Sequence, residues 1–168
     1  MAGIIYDLVD ILEQQKECYE GLLTLAVLKE NVLIENDLSA INSVAERESQ
    51  FLGRSNLLDK RRESLMGDIC IILSVDKKST LLDIANSLKN NVDVAEQLKQ
   101  LRVDILEIIE KINKQNSINK TLIDHSLELT EFTINAIQGA MVGIQDTTYT
   151  GVAKKYEQTQ RSFFDTIG

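Results

Sequence analysis

The sequence predicts an all-α fold: an elongated antiparallel helical hairpin, or three-helix coiled-coil bundle, with a short middle helix and a flexible C-terminal tail. Three observations carry this reading. The 168 residues include no proline and only eight glycines, where average usage would supply roughly eight prolines, so the strongest helix breakers are nearly missing. Aromatic residues make up 5% of the chain, too few to furnish the strands of a β-sandwich. Apolar residues recur at intervals of three and four over two long stretches, which is the period of an amphipathic helix.

The first stretch runs from about residue 4 to 73 and reads as one long helix. Its apolar stripe is Leu23, Val27, Ile34, Leu38, Ile41, Ala45 and Leu52, interrupted by Glu30 and Glu48. Gly53, Ser55, Asn56 and Gly67 are where bending or fraying is expected. Ser74–Thr80, with its Asp76-Lys77-Lys78 cluster, reads as a turn, and Ser79 is placed to cap the next helix, with Asp83 favouring the helix start. A short helix from about 80 to 89 then meets the polar break Asn90-Asn91. The third helix, about 91 to 139, begins there, with Asp93 as cap and Glu96 completing a weak capping box.

In this third helix, alternating steps of four and three give Val94, Leu98, Leu101, Ile105, Ile108, Ile112, Gln115, Asn119, Leu122, Ser126, Leu129, Thr133 and Ala136. From Leu98 to Ile112 this heptad seam is purely Leu and Ile, and the later part is mixed with polar residues that fix register. A second stripe, Leu106, Ile109, Ile123, Leu127, Ile134, Ile137 and Met141, lies beside it. The distal half is therefore apolar over more surface than a two-stranded pairing covers, and something else should cover it. Self-association into a homo-oligomer, or the tail folding back over the stripe, is the expected remedy. At ~1.5 Å per residue the two long helices pair antiparallel without ending flush.

Residues 1–141 are thus read as the helical bundle and 142–168 as a flexible tail. Gly139, Gly143, Gly151 and the run Thr147 to Thr150 favour helix poorly, while Val152, Tyr156, Phe163 and Ile167 suit a short amphipathic helix. Four of the eight aromatic residues fall in the final 20 positions, which suggests a docking segment.

Composition narrows the function. A net charge of −8 argues against nucleic acid and against anionic membranes as partners. There is no apolar run of spanning length, so no membrane insertion is expected, and two isolated cysteines, Cys18 and Cys70, point to a reducing cytoplasm and to buried small hydrophobes. One histidine, His125, cannot build a di-metal carboxylate bundle, and its neighbour Glu128 disfavours a phosphoryl group. No glycine-rich phosphate loop occurs. The cluster Lys60-Arg61-Arg62, between Asp59 and Glu63, reads as a solvated face with local ion pairs. No cofactor and no catalytic group is expected, so the chain reads as a binding protein.

The first helix also carries Tyr19, Leu22-Leu23, Leu25-Ala26, Lys29, Leu33-Ile34, Asp37-Leu38, Ile41, Glu48, Leu52, Leu58, Arg62 and Leu65 in an order that resembles the FlgN family of flagellar export chaperones. Asn116, Asn119 and Leu122 extend the likeness into the third helix, so that it covers roughly residues 5 to 140. The resemblance implies a cytoplasmic chaperone that holds flagellar hook-associated (hook-filament junction) subunits unassembled and delivers them to the type III export gate. It assigns partner binding to the C-terminal amphipathic helix, here Leu122, Ile123, Leu127, Leu129, Ile134, Ile137 and Met141. Tyr149, followed by Gly151, resembles the family's contact with the export gate. The competing reading is a structural coiled-coil adaptor or scaffold that self-associates through the same seam and has no export role.

Overall fold

Glu35, Asn36 and Asp37 reverse the chain where the sequence had suggested an unbroken helix. Asn36 adopts a left-handed conformation at φ 54°, a state that asparagine tolerates better than most residues. Asp37 follows in extended backbone and caps the next helix by accepting a hydrogen bond from the Ala40 amide. The computed structural model, which describes residues 2–88 and 91–146, therefore has two helices in place of the expected one: α1, Ala2–Ile34, and α2, Leu38–Leu73. The positions expected to bend, Gly53, Ser55, Asn56 and Gly67, all lie within the uninterrupted α2.

The reversal also corrects the expected stripe. Val27, Ile34, Leu38 and Leu52 are exposed, whereas the buried face of α1 is Ile5, Leu8, Leu12, Gln15, Cys18, Leu22, Leu25, Ala26 and Val32. A stripe drawn through residues 34 to 41 assumed a continuous helical phase, and the turn resets that phase. α1 and α2 pack antiparallel: Gln15 reaches Asp59, Cys18 the Phe51 carbonyl, and Lys29 Glu48. Near the turn, Leu25, Val32 and Val44 form a small core, with Ala40, Ile41 and Phe51 packed against it.

After α2, Ser74 takes the left-handed C-cap position, and its amide bonds back to the helix end. The expected turn comes next. Helix α3, Leu81–Ser87, starts one residue later than expected because Thr80, not Ser79, is its cap. The Thr80 hydroxyl accepts from the Asp83 amide while the Asp83 carboxylate accepts from the Thr80 amide, a reciprocal capping box. These bonds hold the Asp83 carboxyl below its ordinary range.

The final helix, α4, spans Val92–Asp146. Asp93 lies inside its first turn and is not its cap; the Asn91 carbonyl accepts the Ala95 amide. Four links join α4 to α1 at a nearly constant offset in sequence: Gln97 to Glu13, Asp104 to Lys16, Gln115 to Glu30, and Asn119 to the Ala26 carbonyl. A constant offset means that α4 runs parallel to α1, and hence antiparallel to α2. The anticipated hairpin of two long helices is thus a bundle in which α2 and α3 return the chain to its starting end.

The main core lies at that end. Ile5, Leu8 and Leu12 of α1, Ile69 and Cys70 of α2, Ile84 and Ala85 of α3, and Val94, Leu98 and Leu101 of α4 form one cluster. Both cysteines are buried and free, as small hydrophobes. The described residues up to Leu122 make up one compact unit, and those from Ile123 make up a second. Of the second, helix is described as far as Asp146. The third helix therefore runs past its expected end near 139, and the first residues of the anticipated tail 142–168 are helical as far as Asp146; from 147 onward the tail lies outside the described residues.

The candidate partner-binding face of α4

Between residues 123 and 141, α4 carries leucine, isoleucine, phenylalanine and methionine side chains that the structure leaves in solvent. Ile123, Leu127, Leu129, Ile134, Ile137 and Met141 are all exposed, from 36% at Ile123 to 66% at Leu129. Burial of such side chains is ordinarily worth ~1.5–3 kcal/mol each, so a row of them in water marks a surface that gains by contact. Leu122 differs from the other expected contact residues. It is half-buried and belongs to the first unit.

At ~100° per residue, Ile123, Leu127, Ile134, Ile137 and Met141 fall within about 80° of one another and form a single stripe. Leu129 stands on the neighbouring face with Ala136. Phe132, 47% exposed, widens that second face. It was missed because it belongs neither to the heptad seam nor to the stripe beside it; its spacing of three from Leu129 and four from Ala136 is the signal that finds it. The acidic residues are segregated too. Asp124, Glu128 and Glu131 share one flank, and residues 121–141 contain no lysine or arginine. This segment is an acidic amphipathic helix with a broad apolar side.

Thr130 and Thr133 return their hydroxyls to the carbonyls of Ser126 and Leu129 four residues earlier, which satisfies those polar groups within the helix. His125 is exposed. Among the described residues, no group of three His, Cys, Asp or Glu side chains could hold a metal ion. No helix among them is long and apolar enough to cross a membrane.

The polar seam positions Gln115 and Asn119 belong to the first unit, and their role is internal. Gln115 donates to Glu30 at 2.5 Å and Asn119 to the Ala26 carbonyl at 2.8 Å. They dock α4 on the distal part of α1, where the Leu25, Val32 and Val44 core contains no α4 residue among the described residues. The last α4 members of the main core are Leu101 and, packed against it, Ile105, so the stripe from Ile123 to Met141 contributes nothing to that core among the described residues. Tyr149, the expected export-gate contact, lies outside the described residues.

No curated protein and no solved structure shows significant similarity to the chain. A family model described as FlgN protein does, over residues 1–157. The match takes in every described helix and the apolar face of α4, so the chain belongs to the FlgN family, a family of flagellar export chaperones.

Proposed function

We propose that this protein is a cytoplasmic chaperone that holds unassembled hook-filament junction subunits through the distal part of α4 and delivers them to the flagellar export apparatus. The observation that carries the reading is the row of exposed side chains Ile123, Leu127, Ile134, Ile137 and Met141, in a member of a flagellar chaperone family. An unassembled subunit exposes an apolar helical segment, and the stripe supplies a complementary groove-filling face until handover. Leu129 and Leu122 extend this surface, and Tyr149 is the proposed contact with the export gate. No bond is made or broken; recognition rests on apolar burial, and its reversibility on the limited area of one helix face.

The test is capture of a purified hook-junction subunit by the wild type and by Ile134→Asp/Ile137→Asp. The double variant should lose binding at least tenfold while keeping its helical signal and its melting temperature within a few degrees, because both side chains are about half exposed. Leu98→Asp, which places a charge at a position of 0% exposure, should unfold the protein. Undiminished capture by the folded double variant would move the site elsewhere.

A further inference from the structure

The sequence places Arg62 on a solvated basic face, and the fold turns it partly inward. Arg62 lines a groove of about 220 Å³ on the first unit, with Leu12, Leu81, Ile105, Ile109 and Arg102. The expectation of a solvated basic cluster holds for Lys60 and Arg61, which are exposed, but Arg62 is half-buried. Its Nη2 lies 3.5 Å from Asp59, whose same oxygen already accepts from Gln15 at 2.6 Å. The Nε of Arg62 is buried without a hydrogen-bond partner, and Arg102 forms no ion pair among the described residues. Two under-used guanidinium groups thus border an apolar floor, in a chain of net charge −8.

The groove is smaller than the ~300–1,000 Å³ typical of small-molecule sites and suits side chains presented by another helix. The acidic amphipathic segment of α4 has the matching chemistry. It carries an apolar stripe with Asp124, Glu128 and Glu131 along one flank and no basic residue between 121 and 141 other than His125. We propose that the distal α4 stripe of a second copy of this chain docks in the Arg62/Arg102 groove, with its acidic flank against the two arginines. Each copy carries both surfaces, so a reciprocal exchange closes a dimer. The free protein then covers in this dimer the face that it would offer to a subunit. This last consequence rests on the proposed function; the self-association does not.

Sedimentation velocity from low to high micromolar concentration tests the proposal, using the full chain. The wild type should show a concentration-dependent dimer that weakens with salt, as an exposed charge contact does. Arg62→Gln/Arg102→Glu and, separately, Glu128→Arg/Glu131→Arg should each weaken it at least tenfold. An equimolar mixture of the two variants should restore association, because each supplies the charge the other lacks. If Arg62→Gln unfolds the protein by circular dichroism, the exposed Arg102→Glu alone takes its place. A wild type that stays monomeric, an association indifferent to these reversals, or a mixture that fails to recover would overturn the proposal. Adding a purified hook-junction subunit separates the two readings: a subunit that does not bind refutes the proposed hook-junction role and leaves the sedimentation result standing.

Discussion

Gly21 of α1 lies directly beneath the ring of Phe51 of α2, so close that a Cβ at position 21 would fall inside the van der Waals envelope of the ring edge. The glycine is there for the approach of two helices and for no turn. Phe51 in turn packs against the small core of Leu25, Val32 and Val44, which limits how far its ring can retreat.

Gly21→Ala should therefore destabilise the protein although alanine favours helix by about 1 kcal/mol over glycine. Displacing a packed ring costs ~1–3 kcal/mol, and steric repulsion should win. Chemical denaturation checks the sign, and pairing the change with Phe51→Leu should recover part of the loss by emptying the contested space.

Asn119 is 3% exposed and donates to the Ala26 carbonyl, while its own Oδ1 has no hydrogen-bond partner among the described residues. Asn119→Asp should destabilise by about 2 kcal/mol or more near neutral pH, because a buried carboxylate would replace the donor and face a carbonyl oxygen. Protonating the new carboxyl restores a donor, so the deficit should shrink in acid. Melting temperatures at about pH 7 and about pH 4, either side of the range in which a buried carboxyl titrates, would show whether it does.

Lys16 and Asp104 are joined at 2.6 Å across α1 and α4. The bond from Lys16, and after it that from Gln100, holds the Asp104 carboxyl below its ordinary value; the bond to Asp104 raises Lys16. A carboxyl lowered on folding contributes stability above its unfolded value, about 3.9, and that contribution is lost as pH falls through the folded value. Raised Lys16 contributes below its unfolded value and loses that contribution as pH rises through the folded one. The melting deficit of Asp104→Asn against wild type should accordingly hold at neutral pH and close in acid. Since both side chains are partly exposed, added salt should reduce it as well.

Ser74 holds φ 55° at the C-cap of α2. A left-handed conformation strains any side chain with a Cβ, and glycine relieves it, so Ser74→Gly should stabilise the protein by about 0.5–1 kcal/mol. The gain should appear as a higher denaturation midpoint with an unchanged slope.

The all-α class, the turn after residue 73 and the dry early seam of α4 were legible in local sequence, because missing proline, capping residues and a repeating apolar period act through neighbours along the chain. The exposed distal stripe was legible for a related reason: its apolar positions outnumber what one partner helix can cover. The break at residues 35–37 was not, since Glu35-Asn36-Asp37 contains neither glycine nor proline and the apolar spacing runs across it. Asparagine before a capping aspartate was the only local signal.

Tertiary packing decided the rest. Once α1 and α2 fold on each other, Leu25, Val32 and Val44 go inside, and Val27, Ile34 and Leu38 go outside, a choice that helical period alone leaves open. The direction of α4 follows from the same reversal, because two preceding turns bring it alongside α1 in parallel. The seam polar residues likewise acquire partners only in three dimensions: Gln115 finds Glu30, and Asn119 the Ala26 carbonyl, at separations of 85 and 93 residues. A side chain's own chemistry determines whether it seeks burial, whereas the partner that buries it depends on where distant segments pack.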